Sequence, residues 1–213
     1  MELIVHNTTE LHGEITPPSS KSQTIRALIL ATLAKGKSIL HNVLESDDTG
    51  AAVEVCQGLG AHITKENNSL IVESTGVPFQ NIQKKLNTKN SGITTRFILP
   101  VLGLKKEIQE EIVLDCAEQM RQRPVQSLVG ALNDLGMKVE STDTNGKLPL
   151  TVSGSLLGGG VEIDGTTSQY LSALLLSAPY AKNDIEIVVP DLQERPYVGM
   201  TLALLDEHGI KYE

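Results

Sequence analysis

The stretch PPSSKSQTIRALILATLA, residues 17–34, organises the rest of the chain. Two prolines and two serines give way at Lys21-Ser22 to Ile25, Leu28, Ile29, Thr32 and Leu33. These recur at helical spacing, so a loop opens into a helix over 25–34 with one buried stripe. Lys21, Ser22 and Arg26 crowd the first turns, and Ser22 and Arg26, four apart, share a face. A helix N-terminus presents unpaired N–H groups and the positive end of the helix dipole. Cations placed there make a receptor for phosphate or carboxylate. Taken alone, the stretch also fits a capped helix with a solvated Lys and Arg.

Outward from that helix the chain repeats itself. Leu59-Gly60, Leu135-Gly136 and His208-Gly209 each close an apolar helix, their glycines 76 and 73 residues apart, and each is followed by a short alternating strand. The first unit, about 17–76, reads helix 25–34, strand SILHNV, helix TGAAVEVCQGLG, and strands AHITK and SLIVES. The second, about 77–155, reads helix 93–102, strand EIVLDC, helix RPVQSLVGALNDLG, and strands MKVES and LPLTVSG. The third, about 156–213, reads strand VEIDG, helix 169–178, strand DIEIVV, helix RPYVGMTLALLDEHG and strand IKYE, where it stops one strand short. The chain is therefore expected to be the front portion of a longer protein. Residues 1–16, with ELIVH and GEIT, are expected to form two further strands outside the threefold scheme, belonging to a second domain.

Alternating strands and helices give an α/β class, and three equivalent units are expected to pack about an approximate threefold axis. Corresponding helices would then direct the same ends to one surface. The three leading helices open at SSKSQ, NSGITT and GTTSQ, each with Ser or Thr and two with Gly.

Composition narrows the chemistry. With 213 residues, 40% hydrophobic, 3% aromatic and no Trp, the core must be Leu, Ile, Val and Ala. A net charge of −8 argues against nucleic acid as partner. The apolar run near Leu171–Ala178 is too short to span a bilayer, and MELIVHNTTE lacks the basic start of a signal peptide, so a cytoplasmic protein is expected. Five histidines are scattered and two cysteines form no framework, so no metal is expected. Arg26, Arg96, Arg121, Arg123 and Arg195 all lie in or beside Gly, Ser or Pro-punctuated helix openings, which suggests local anion sites on an acidic protein. Asp47-Asp48, just before a helix, reads as a cap with a dipole-complementary neighbour rather than an acid/base pair.

In this order, PPSSKSQTIRAL, HNVLESDDT, NSGITTR, MRQRPVQSLVGAL, TTSQYLSALL and RPYVGMTL resemble the 5-enolpyruvylshikimate-3-phosphate synthase family, the enolpyruvyl transferases of the shikimate pathway. The likeness covers essentially the whole chain as the N-terminal half of such an enzyme. It implies an enolpyruvyl transferase-like fold, an inside-out α/β barrel of pseudo-threefold βαβαββ units, here truncated in the third. It also implies transfer of enolpyruvyl from phosphoenolpyruvate to the 5-hydroxyl of shikimate 3-phosphate, with phosphate released and no metal or organic cofactor. By the same resemblance Lys21 would touch both substrates, and Ser22 and Arg26 would hold shikimate 3-phosphate. Gly92 and Arg123 would hold phosphoenolpyruvate, while Gln169 would meet both ligands. Thr167 and Ser168 would bind phosphate and hydroxyl, Tyr197 would lie against the shikimate ring, and Arg96 would position others.

Some positions depart from the family pattern. Ile93 and Phe97 stand in a loop that usually reads N-A-G-T-A-x-R-P, which suggests a narrower phosphoenolpyruvate pocket and weaker glyphosate binding. Glu194 stands where a phosphate-binding Ser is common, Gln119 where an Arg is, and Gly199 where an Asp is. The family's acid and base groups would lie in the other half, so this chain alone is expected to be a ligand-binding half-site without turnover. The sister enzyme acting on UDP-N-acetylglucosamine is the alternative. It would use a loop cysteine, which Cys116, seven residues before Arg123-Pro124, could imitate.

Overall fold

The computed structural model describes residues 2–142 and 146–213. Its first helix, α1 (Lys21–Leu33), is capped by Ser20, whose Oγ accepts from the Gln23 N–H at 3.3 Å. It starts four residues before the periodic pattern and has no single buried stripe: Thr24, Ile25, Arg26 and Leu28 through Leu33 are all buried. A helix buried on every side belongs inside a core.

After α1 come β1 (Lys35–His41), α2 (Asp47–Gly58), β2 (His62–Glu66) and β3 (Ser69–Thr75), an antiparallel sheet ordered β1-β3-β2. Unit two runs β4 (Lys85–Asn87), α3 (Gly92–Val101), β5 (Ile112–Asp115), α4 (Glu118–Arg121), α5 (Gln126–Asp134), β6 (Met137–Ser141) and β7 (Leu150–Gly154). Its sheet is ordered β4-β5-β7-β6, with β4 parallel to β5. In unit three β8 (Gly159–Glu162) pairs in parallel with β9 (Ile185–Val188) across α6 (Ser168–Ser177), and α7 (Arg195–Glu207) follows. Thus β4-α3-β5 and β8-α6-β9 are the same βαβ device used twice.

The repeat is visible in the helix ends as well. Gly60, Gly136 and Gly209, which close α2, α5 and α7, all have positive φ, at 104°, 95° and 69°. Only a residue without Cβ takes that turn at little cost, so the three Leu/His-Gly pairs are the same left-handed stop.

The leading helices α1, α3 and α6 touch one another in the centre, every residue of α3 is buried, and the sheets lie outside them. One continuous apolar cluster, from Ile25 to Leu205, joins the units. This agrees with the inside-out arrangement that the family resemblance implies, though the described strands form three separate sheets and no closed barrel.

Several local expectations fail. Residues 2–16 form no strand, and Leu3, Ile4, Val5, Leu11 and Ile15 lie exposed. IKYE is not a strand either. In units one and two the equivalent strands β2 and β6 are held by β3 and β7, whereas no strand of the described residues pairs with IKYE. A strand without a neighbour leaves its N–H and C=O groups unpaired. The strand β4 and the short helix α4 have no signal in the hydrophobic pattern, being only three and four residues long. Helix α5 begins at Gln126 rather than at Arg123.

Phe97, fully buried in α3, carries the Arg26 guanidinium of α1 on its ring at 4.9 Å. Phe97→Ala is expected to lower stability by about 3–5 kcal/mol, a typical cost of emptying a core aromatic site. Urea unfolding followed by circular dichroism measures it, and a loss below about 1 kcal/mol would mean that the helices do not depend on this joint.

Candidate functional site

Three N-termini meet. Helices α1, α3 and α6 are capped by Ser20, Ser91 and Thr167, whose hydroxyls accept from the N–H groups of Gln23, Thr94 and Gln169. The residues just inside those caps share one hollow of about 360 Å³, lined by Lys21 and Ser22, by Gly92 and Ile93, and by Ser168 and Gln169. Arg26, Arg123, Tyr197, Asp48, Asn90 and Glu194 complete it. Thr167 lines an adjoining hollow of about 350 Å³, which shares Arg123 and includes Arg96. All nine residues singled out in the sequence therefore lie on one face, and eight of them line the first hollow.

The cations are held in different ways. Lys21 Nζ reaches Asp48 Oδ2 at 2.9 Å, a partly exposed pair. Arg26 is 1% exposed: its Nε donates to Thr201 Oγ1 at 2.7 Å, Nη1 to the Ser22 carbonyl, and Nη2 to Ser172 Oγ and the Tyr197 carbonyl. Four of its five N–H groups are thereby used, three of them tying α1 to α6 and α7 and one closing back on α1, so Arg26 is chiefly a structural pin with one hydrogen left for a ligand. Burial lowers its pKa to about 10, against which the Tyr197 hydroxyl works, and it stays cationic at neutral pH.

Arg96 is also buried, and it aims other groups. Its Nη1 donates to Gln169 Oε1 at 3.0 Å and to the Gly92 carbonyl at 3.1 Å, and its Nη2 donates to the Pro124 carbonyl at 3.0 Å. Because a guanidinium can only donate, the Gln169 carbonyl must face Arg96 and its NH2 is left for the hollow. Burial pulls the Arg96 pKa down; Tyr170, whose ring lies 5.7 Å away, opposes this, and Arg123 adds to it.

Arg123 is exposed, and among the described residues its side chain makes one weak hydrogen bond, to Met120 Sδ at 4.0 Å. Its guanidinium lies on Gly92: a Cβ there would stand 2.6 Å from Arg123 Nη1 and 2.9 Å from Arg96 Nη1. Gly92 is thus a glycine because two guanidinium groups close over it. Arg121 and Arg195 lie outside the hollow. Arg121 grips Asp115 through Nε at 3.0 Å and Nη2 at 2.7 Å, and Arg195 Nε donates to the Leu192 carbonyl at 3.4 Å. Of the five arginines, Arg26 and Arg123 line the first hollow, Arg96 lines the adjoining one, and Arg121 and Arg195 line neither.

Two carboxylates line the hollow: Asp48, read from the sequence as part of a helix cap, and Glu194, read as a departure from the family pattern. Asp47 and Asp48 stand in the first turn of α2, one place inside the actual cap, Ser46, which forms a reciprocal box with Thr49, and Asp48 turns to Lys21. Glu194 Oε2 accepts from the Ser168 N–H at 2.9 Å, from Ser168 Oγ at 3.0 Å and from Thr167 Oγ1 at 3.4 Å. These bonds, the backbone one first, lower the Glu194 pKa. What they contribute to folding is present at neutral pH and is lost as pH falls through that depressed value. Among the described residues Glu194 forms no ion pair.

Cys116 is 2% exposed, and its thiol is pushed up to about 11 by burial and by Asp115, with Arg121 working against them. A neutral thiol away from the hollow is no nucleophile. Cys56 is likewise buried. No helix of the described residues is long and apolar enough to cross a membrane.

Gly92→Ala is expected to lower stability by about 1–3 kcal/mol, because Arg123 can swing aside but the buried Arg96, fixed by three hydrogen bonds, cannot, and to weaken inorganic phosphate in the hollow roughly tenfold. Urea unfolding reads the first and calorimetric titration the second, and unchanged affinity would mean that Arg123 does not need Gly92.

The arrangement has known relatives. The family model described as EPSP synthase (3-phosphoshikimate 1-carboxyvinyltransferase) matches residues 5–213. A 3-phosphoshikimate 1-carboxyvinyltransferase of Acetivibrio thermocellus is 46% identical over 94% of this chain and 47% of its own length. One of Nitrosopumilus maritimus is 40% identical over 96% and 48%. The EPSP synthase of Acinetobacter baumannii superposes with a TM-score of 0.77 over 88% of this chain and 42% of its own, at 21% identity, which speaks for the fold alone. The chain spans about half the length of the curated relatives it matches. It belongs to the EPSP synthase family.

Proposed function

We propose that the chain is one half of the active site of a 3-phosphoshikimate 1-carboxyvinyltransferase, which moves the enolpyruvyl group of phosphoenolpyruvate to the 5-hydroxyl of shikimate 3-phosphate. One observation carries this: the N-termini of α1, α3 and α6 line a single hollow together with Lys21, Arg123 and Gln169. Two polyanions can lie side by side only where cations and N–H dipoles are already fixed in place. Lys21 and Gln169 would meet both ligands. Shikimate 3-phosphate would lie on Ser22, the remaining Arg26 hydrogen, Thr167 and Ser168, with Tyr197 against its ring, and phosphoenolpyruvate on Gly92 and Arg123. Ile93, buried beside Gly92, would narrow that second seat.

The charges argue for a half-site. Asp48 is taken up by Lys21 and Glu194 by α6, so neither carboxylate is placed to move a proton. The proton donor and acceptor would come from a second, C-terminal domain, which would also cover the exposed apolar residues Leu3, Ile4 and Val5. The assembled enzyme would work in the cytoplasm without metal or organic cofactor.

Shikimate 3-phosphate added to the chain should shift the backbone amide signals of Ser22, Arg26, Ser168 and Gln169, with no phosphate released when phosphoenolpyruvate is also present. Silence at those amides would sink the half-site, and phosphate release would show the chain to be complete. Lys21→Ala should weaken binding at least tenfold while costing at most about 1 kcal/mol of stability, since its ion pair with Asp48 is partly exposed. A large fall in melting temperature would make Lys21 structural.

A further inference from the structure

The seat at the start of α6 is already occupied. The Ser168 N–H and hydroxyl and the Thr167 hydroxyl all converge on Glu194 Oε2, at 2.9, 3.0 and 3.4 Å. Glu194 reaches them from an exposed turn with φ 51° and ψ 34°, a left-handed conformation unfavourable to a residue with Cβ. The turn is fastened independently: the Gln193 N–H donates to the Gly165 carbonyl at 2.9 Å. The side chain of Glu194 can therefore leave without carrying the backbone with it.

We propose that Glu194 is a resident stand-in for a ligand phosphate, and that a phosphorylated ligand takes the α6 seat only by displacing it. The inference rests on the proposed function, which gives Thr167 and Ser168 to the phosphate of shikimate 3-phosphate. A phosphate dianion and a carboxylate cannot share three donors, because like charges at such distances repel and the donors saturate. Phosphate affinity is then a difference, the bonds made to the ligand less those Glu194 gives up. A ligand without the phosphate does not enter this seat and meets no competition. Glu194 thus reduces the chain's preference for the phosphorylated over the unphosphorylated ligand, and it keeps the seat filled when no ligand is bound.

Two variants of the full 213-residue chain test this. Glu194→Gln keeps size and removes charge; Glu194→Gly removes the side chain and suits the positive φ. Calorimetric titration with shikimate 3-phosphate should give a Kd about tenfold lower than the parent in both variants. Shikimate itself should bind all three proteins alike. An unchanged Kd for shikimate 3-phosphate, a gain confined to the glycine variant, or an equal gain for shikimate would each overturn displacement. If none of the three proteins binds shikimate 3-phosphate, the functional reading falls and the proposal falls with it.

Discussion

Three helices pointing their N-termini at one place is electrostatically unfavourable unless something negative stands there, and the structure around the hollow answers that constraint. Each helix brings the equivalent of about half a positive charge to its start. Lys21, Arg26 and Arg123 add full charges to the same surface. The fold relieves this crowding from within. Arg26 spends most of its N–H groups on carbonyls and hydroxyls, Lys21 turns to Asp48, and Glu194 sits on the first N–H of α6. The same contacts join the units: Arg26 alone bonds residues of α6 and α7 and rests on Phe97 of α3. Packing and charge neutralisation are thus one set of interactions.

The architecture was legible because it is written in periodic and punctuating residues. Glycines 60, 136 and 209 mark equal stops, and helical spacing marks the helices between them. Short elements were not legible. Lys85–Asn87 is a strand only because Ile112–Asp115 lies beside it, and no local pattern announces a partner that distant. For the opposite reason, ELIVH, GEIT and IKYE carry strand-like residues and form no strand, since propensity without a neighbour to pair with does not make a sheet. Helix α1 was read as one-sided because only Ile25, Leu28, Ile29, Thr32 and Leu33 fell on the periodic stripe, with Arg26 assigned to a ligand-facing side. Thr24, Leu30 and Ala31 are buried as well, and Arg26 is buried with its four bonds.

The site was legible in residue type and much less so in role. Lys21 and Arg123 stood at loop-to-helix junctions, Gly92 and Gln169 were named by the family resemblance, and the fold places all four around one hollow. What sequence could not reveal was which donors the protein itself consumes. Arg26 and Arg123 look alike in the chain, yet one is buried with four bonds and the other is exposed with one weak contact. The two acids were noticed in the sequence but not as lining of the hollow, for the same reason. Asp48 matched a helix-capping pattern, and Glu194 stood out only as a charge in an unwelcome place, with nothing local to show that α6 holds it.

An acidic protein that binds anions needs its negative charge distributed so that long-range repulsion is screened and short-range attraction is not. At physiological ionic strength, charges more than about 8 Å apart in water are largely screened, so the net charge of −8 does little to a ligand already in the hollow. The local arrangement decides instead, and there the internal acids act as placeholders. With Asp48 on Lys21 and Glu194 on α6, an anion entering as proposed would exchange one set of charge-assisted bonds for another at those two places. Such an exchange lowers affinity but spares the empty hollow the cost of unpaired cations and helix ends. Arg123, exposed and without a carboxylate partner among the described residues, would be the first contact in that exchange, with Gly92 beneath it leaving room for a close approach.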